Sequence, residues 1–249
     1  MRKALRRLWP AALWLALWQA GAMALAQPLL LPSPLRVVGT LLSLAGTAAF
    51  WGAVGRSAGR LLAGFALGSF AGTLLAAAAS VSRSLREFLA PAVSVLKAVP
   101  VASFILLALV WVSARNLSVC IAFVVVFPTV YLTLLEGIAA VDGELLEMAR
   151  VFRVPFGRRL TGIYLPQLLP AIRSACALGM GLCWKAGVAA EIIGVCAGTI
   201  GEGLYNAKIY FETAELFAWT AAVVLLSVLA ERVVLALLDA LTKGKGAVS

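Results

Sequence analysis

The longest polar stretch of the chain reads EGIAAVDGELLEMARVFRVPFGRRLTGIYLPQLLP and covers residues 136–170. Asp142 can cap a helix that begins at Gly143, because its side-chain oxygen can accept from the unpaired amides of a first turn. The apolar residues that follow recur at the spacing of one helical face, namely Leu145, Met148, Ala149 and Phe152. Pro155 should end this helix near Arg153. The stretch predicts a short amphipathic helix, and an ordinary solvated loop is the alternative.

The composition around this stretch is that of a polytopic membrane protein. Hydrophobic residues make up 63% of the chain, charged residues 13%, and the mean hydropathy is +1.01, well beyond a soluble domain of this length. The net charge of +10 arises from short basic segments beside apolar runs. Anionic lipid is therefore a better expected partner than nucleic acid. The chain has no histidine and no C-x-x-C pair, so neither a metal site nor a catalytic residue is predicted.

Six apolar runs are long enough to be membrane spans. They lie at about residues 8–26, 61–80, 92–112, 117–135, 166–190 and 214–238. Residues 35–57 are predicted as an external amphipathic segment and residues 136–165 as a cytoplasmic region. This arrangement places fifteen Lys and Arg residues inside and five outside, which favours two cytoplasmic termini. A single all-α transmembrane domain over residues 1–249 is expected.

The first apolar run has two interpretations. Residues 1–26 begin with four basic residues and end in the A-x-A pattern of Ala24 and Ala26, as a cleaved signal peptide does. The run is also long enough to cross the membrane as an uncleaved first span if the helix is slightly tilted, and we favour this interpretation. Both interpretations place the N-terminus in the cytoplasm.

Several positions inside the apolar runs are candidates for packing or for a solute pathway. Glycines recur every four residues at Gly64, Gly68 and Gly72 and predict a groove for close helix packing. Lys185 lies far from either flank of its run, where a charge is costly in hydrocarbon. It could contact an anionic solute, pair with an acid, or extend to the membrane surface. The candidate pathway residues are Pro100, which should kink or unwind its span, Trp184, Lys185 and Glu191.

Short sequence motifs distributed over nearly the whole chain resemble those of a known family. Glu147-Met148-Ala149 is followed by Ile163-Tyr164-Leu165-Pro166, an E-A-A element with its I-x-L-P end. Other matching words are LPSPL at 31–35, GRLLAGFALG at 59–68, KAVP at 97–100 and VDGELLEMAR at 141–150. Together they resemble the permease subunits of type I ABC importers, particularly the nitrate, taurine and aliphatic sulfonate group. Two departures are Arg153, where the family has glycine, and Lys185, where it has an apolar residue.

The resemblance implies a fold and a set of partners. It implies six transmembrane helices of the type I importer permease fold, with a cytoplasmic coupling helix between spans four and five. The coupling residues are then Asp142, Leu145, Leu146, Glu147, Met148, Ala149, Arg150 and Phe152, and the signature ends with Ile163, Leu165 and Pro166. The implied partners are two ATP-binding cassette subunits, a second permease copy in a homodimer and an external substrate-binding protein, all at the bacterial inner membrane. ATP and Mg would bind the partner, because this chain has no P-loop and no cofactor of its own is expected.

The solute is less well defined than the machinery. The resemblance implies a small polar or anionic organic solute, such as a sulfonate, nitrate or taurine. A thiamin-precursor-like heterocycle handled by the same machinery is an alternative. A secondary transporter acting alone is a further alternative, and it predicts inverted repeats or a chain of buried ionisable groups. Beyond Lys185 and Glu191 the sequence contains neither.

Overall fold

A computed structural model describes residues 2–243, and within that range the regular structure is entirely helical. The helices are α1 (Arg2–Leu25), α2 (Pro34–Ala45), α3 (Ala48–Val81), α4 (Arg83–Ala98), α5 (Val101–Ala108), α6 (Ala114–Ala139), α7 (Gly143–Val151), α8 (Phe156–Arg159), a π-helical turn (Leu160–Tyr164), α9 (Leu165–Ile193), α10 (Ile200–Ile209) and α11 (Thr213–Lys243). The predicted all-α class is confirmed.

Four of the described helical segments are long and apolar enough to cross a membrane. They are Ala48–Val81, Ala114–Ala139, Phe156–Ile193 and Thr213–Ala240. Helices α4 and α5 provide a fifth span if the two are counted as one bent element. The first expected span, about residues 8–26, lies in α1, of which Ala12–Leu25 is described as a shorter apolar helix. Within the described residues the count by length is therefore four, or five with the bent pair, and the six expected spans stay a prediction.

Helix α3 begins earlier than the sequence suggests. Residues 48–57 were expected in an external segment together with residues 35–47, but they form the first ten residues of α3. The glycines in this part lower the intrinsic helix propensity, but tertiary packing compensates for it. Phe50 is buried, with its ring centroid 4.9 Å from that of Trp219. Only α2, at Pro34–Ala45, remains as a separate short helix in the predicted segment.

The predicted third span is broken at Pro100, the residue that was expected to kink or unwind it. Val99 is extended, with φ −70° and ψ 127°, and α4 and α5 meet there at an angle of 102°. Pro100 explains the break, because a proline disfavours helical geometry at the residue before it and cannot donate a backbone hydrogen bond. Pro100 itself precedes the first residue of α5.

The contacts of the chain divide it into two units. One comprises residues up to 58 together with 191–226, and the other comprises 59–190 with the remainder. In the first unit, the Trp18 ring lies 5.7 Å from that of Phe217, and its Nε1 donates to the carbonyl of Pro32 at 3.1 Å. In the second unit, the core lies among α3, α6 and α9, with Leu61 and Met180 fully buried. These cores fix the helices that carry the predicted functional residues.

Candidate functional site

The start of α7 is fixed by Asp142. Its Oδ1 accepts from the backbone N–H of Glu144 at 2.8 Å and of Leu145 at 3.4 Å, so the predicted N-cap is confirmed. Its own N–H donates to Gln167 Oε1 at 2.9 Å. Glu144 lies in the first turn, where the helix dipole favours a negative charge. The helix is therefore capped and also tied to the beginning of α9.

The end of α7 is closed by a Schellman motif. The N–H of Val154 donates to the carbonyl of Ala149 at 2.8 Å, and the N–H of Arg153 donates to that of Arg150 at 3.1 Å. Arg153 has φ +52°, the left-handed conformation that this motif requires and that glycine adopts most easily. Arg153 thus adopts the turn conformation that was expected of a glycine. Pro155 directly follows Val154, the last residue of the motif.

Helix α7 has an inner and an outer apolar face. Ala149 is only 2% exposed and Leu146 is half-buried, so these two residues contact the rest of the protein. The outer face consists of Leu145, Met148, Val151 and Phe152, of which Met148 is 50% and Phe152 74% exposed. Ala149 lies one turn after Leu145, at the side of the predicted apolar face that contacts the protein, whereas Leu145 and Met148 lie at the side that is exposed. Glu147 and Arg150 are exposed beside the outer face.

A π-helical turn joins α8 to α9. It covers Leu160–Tyr164 between α8 and α9, and the three run together as one long helical segment from Phe156 to Ile193. Ile163 of the predicted signature lies in the π turn, and Leu165 and Pro166 lie in the first turn of α9. Such turns often occur at functional positions, because they change the direction of the side chains that follow.

The glycines of α3 face α6 at very close range. A Cβ added at Gly64 would lie 2.5 Å from Ala122 Cβ, and one at Gly68 would lie 3.0 Å from Val126 Cβ. At Gly72 it would lie 3.0 Å from the carbonyl oxygen of Phe127. These three residues therefore line the close contact between α3 and α6, the arrangement typical of small residues in membrane helices.

The candidate pathway residues do not share one environment. Pro100 and Lys185 are exposed, whereas Trp184 is buried and Glu191 is fully buried. On α9, the exposed face that carries Lys185 also carries Leu178 and Leu182. Of the three α9 candidates, only Lys185 is exposed in this chain.

The structure also identifies a polar cluster that the sequence interpretation missed. Ser57 is fully buried and its Oγ donates to Glu191 Oε2 at 2.7 Å. Glu191 Oε2 also accepts from the N–H of Gly201, in the first turn of α10, at 3.3 Å. The local signal for that helix start was present as Thr199 and Glu202, in the T-x-x-E spacing of a capping box. The pairing of Ser57 with Glu191 has no such local signal.

Comparisons with known proteins identify the family of the chain. Residues 64–245 match the family model described as binding-protein-dependent transport system inner membrane component. A Bacillus subtilis (strain 168) permease protein named for aliphatic sulfonates transport, SsuC, is 30% identical over 210 residues, covering 83% of this chain and 75% of its own length. The Escherichia coli (strain K12) taurine transport system permease protein TauC is 26% identical over 237 residues, covering 93% and 86%.

A solved structure shows the same fold. The crystal structure of an amino acid ABC transporter with histidines superimposes with a TM-score of 0.57 at 15% identity, covering 84% of this chain and 95% of the other. At that identity the match supports the fold alone. With the family model extending over most of the chain, the assignment rests on sequence and fold together. The chain belongs to the family of inner-membrane components of binding-protein-dependent transport systems, as a type I ABC importer permease similar to the sulfonate and taurine permeases.

Proposed function

We propose that this permease docks on a separate ATP-binding cassette subunit through the outer face of α7. The observation that supports the proposal is the exposure of Leu145, Met148, Val151 and Phe152 on a helix that is held at both ends. A helix that exposes its apolar residues while remaining anchored is suited to fill a groove on a partner. Glu147 and Arg150 beside this face add charges that can set its orientation.

In the proposed complex, two permease copies form the solute pathway and two partner subunits bind ATP and Mg. Hydrolysis belongs to those subunits, and an external binding protein delivers the solute. The outer face of α7 is then cytoplasmic and both termini lie inside, as the distribution of Lys and Arg suggests. Closure of the ATP-binding subunits would move α7 as a rigid element, because Asp142 ties it to α9 through Gln167.

The docking role is tested by Met148→Asp, with Met148→Leu as the matched control. Met148 is 50% exposed at the middle of the outer face, so Asp should be tolerated by the isolated permease but should place an unpaired carboxylate in the interface. We expect Met148→Asp and Glu147→Lys to abolish co-purification with the ATP-binding subunit and solute-stimulated ATP hydrolysis. Membrane insertion and the melting temperature of the permease should not change. Normal assembly and uptake in Met148→Asp would refute the docking role.

For the solute, we propose a small anionic or zwitterionic compound of the sulfonate or taurine type. Lys185 supports this proposal, because it is exposed on α9 and lies about 12 Å along the helix axis from the last residue, Ile193. A charge at such a depth is costly against lipid, which favours a position facing water or protein. In the proposed dimer that position is the pathway.

The solute proposal is tested with reconstituted complexes and radiolabelled taurine. Lys185→Met should reduce taurine uptake and weaken competition by an alkanesulfonate, whereas Lys185→Arg should retain much of both. Assembly with the ATP-binding subunit should be normal in both variants. Uptake and competition by Lys185→Met that equal those of the original chain would show that Lys185 does not contact the solute.

A further inference from the structure

Buried polar groups of three helices meet at the start of α10. Glu191 of α9 and Ser57 of α3 are both fully buried and hydrogen-bonded to each other at 2.7 Å. Glu191 accepts from the N–H of Gly201 at 3.3 Å, and Ser57 Oγ accepts from the N–H of Ile200 at 3.0 Å. We call Ser57, Glu191 and these two amides the polar lock. It joins residues that lie more than 130 positions apart in the chain.

The lock supplies acceptors that α10 cannot supply for itself. The first amides of any helix have no partner within the helix. At α10, Thr199 serves only one of them, since its Oγ1 accepts from the N–H of Glu202 at 3.3 Å. The amides of Ile200 and Gly201 are served by α3 and α9 instead. A carboxylate is well placed there, because the helix dipole favours negative charge at this end.

The geometry leaves little freedom for α10 to shift. A Cβ at Gly201 would overlap the Glu191 side chain and backbone, so only glycine permits this approach. The residue next to Ser57 holds the preceding turn, because Arg56 Nε donates to the carbonyl of Gly198 at 2.5 Å. Gly198 has φ +71°, a conformation that glycine adopts without strain. Adjacent residues of α3 therefore hold both the turn and the helix that follows it.

A buried polar contact of this kind is better suited to fix an orientation than to add stability. Apolar packing of similar volume often stabilises a protein at least as well, because taking charges out of water is expensive. Hydrogen bonds, in contrast, have strict distances and angles. We propose that Glu191 is a positioning residue that sets α10 against α3 during transport and does not contact the solute. The transport part of this inference rests on the proposed importer function; the positioning of α10 does not.

Ser57→Ala, Glu191→Ala, Glu191→Gln and the double alanine variant test the lock in the full complex, with taurine as the probe solute. Each single alanine variant should lower the maximal uptake rate by about tenfold, with unchanged KM and continued ATP hydrolysis. Glu191→Gln keeps an acceptor oxygen on a side chain of the same length, so this variant should retain most of the maximal uptake rate. The double variant should be no worse than the stronger single one, because both remove one unit. Ser43→Ala is the control, since its hydroxyl donates within its own helix to Gly39.

Hydrogen exchange of the permease alone provides a second readout that requires neither ATP nor solute. The amides of Ile200 and Gly201 should exchange faster in Ser57→Ala and in Glu191→Ala, and near the original rate in Glu191→Gln. Ser57→Ala removes one hydroxyl only, so it remains informative if Glu191→Ala does not fold. The inference is overturned if exchange of α10 is unchanged in Ser57→Ala, or if the two alanine effects add in full.

The kinetic pattern separates this role from solute binding. An increased KM at an unchanged maximal rate in Glu191→Gln would show that Glu191 contacts the solute and would overturn the inference. If the original complex transports taurine and the variants show unchanged α10 exchange, the lock alone is refuted. If α10 exchange responds as expected but the original chain forms no complex with an ATP-binding subunit, the proposed importer function alone is refuted.

Discussion

Replacing Arg153 by glycine should stabilise the end of α7, although it removes a charged side chain. Arg153 has φ +52°, and the left-handed conformation costs a residue other than glycine about 1–2 kcal/mol. Glycine offsets roughly 0.5–1 kcal/mol of this gain in stability, because it loses more conformational freedom on folding than other residues. The net gain is about 0.5–1 kcal/mol, which corresponds to a roughly two- to fivefold smaller open fraction of the turn.

Hydrogen exchange measures this open fraction directly. The N–H groups of Arg153 and Val154 close the Schellman motif, so their exchange reports its opening. After correction for intrinsic rates, we expect both amides to exchange about two to five times more slowly in Arg153→Gly. Arg153→Ala removes the guanidinium but keeps the strained backbone, and it should not slow exchange.

Arg158→Gly is the matched control, because the same substitution should have the opposite sign there. Arg158 lies in α8, where a glycine costs about 1 kcal/mol relative to a good helix former. Exchange around α8 should therefore become faster in Arg158→Gly. Faster or unchanged exchange at Val154 in Arg153→Gly would refute the argument, and would show that contacts of the arginine side chain outweigh its backbone strain.

Three further predictions concern the packing of the helices in the second unit. Gly64→Ala should disrupt the contact of α3 with α6, because the new Cβ would lie 2.5 Å from an α6 side chain. Gly59→Ala places its Cβ in open space and should be neutral or stabilising. Gel filtration checks both, because only Gly64→Ala should change the elution profile of the folded protein. Gln167→Leu removes the acceptor that ties α7 to α9 and should accelerate exchange in the first turn of α7 by about two- to tenfold. Asp239 pairs with Arg173 at a partly exposed site, so a double-mutant cycle of thermal unfolding should give a coupling energy below about 1 kcal/mol that falls with added salt.

The ends of α7 and the glycine contact could be predicted because their causes are local. Asp142 caps the amides that directly follow it, and Pro155 excludes further helix at a fixed position. The four-residue spacing of the α3 glycines, beginning at Gly64, likewise places them on one face whatever the partner helix is. Each of these features needs only a few neighbouring residues to be specified.

The early start of α3 and the polar lock depend on distant contacts. Phe50 extends α3 because it is buried against Trp219, and nothing near Phe50 in the sequence indicates that ring. The partner of Ser57 lies 134 residues further along the chain. Burial along the predicted face of α7 also depends on distant contacts: spacing places Ala149 and Met148 on one side of the helix, but it does not indicate that Ala149 is buried while Met148 is exposed.

The angle at the break between α4 and α5 also depends on the surroundings. Pro100 explains why the helix is interrupted, since it restricts Val99 to an extended conformation. A proline kink alone could be much smaller than the observed 102°. The direction is set by what each half packs against, and α4 and α5 both contact α6.

The π-helical turn at Leu160–Tyr164 means that one surface of the segment from Phe156 to Ile193 does not continue along its whole length. One additional residue in a turn rotates everything beyond it by about 100° relative to an unbroken α-helix. Insertion or deletion of a single residue there would re-aim Lys185 without altering any residue of α7. Among relatives of this chain, the surface presented by α9 could therefore change in one genetic step while α7 kept its surface.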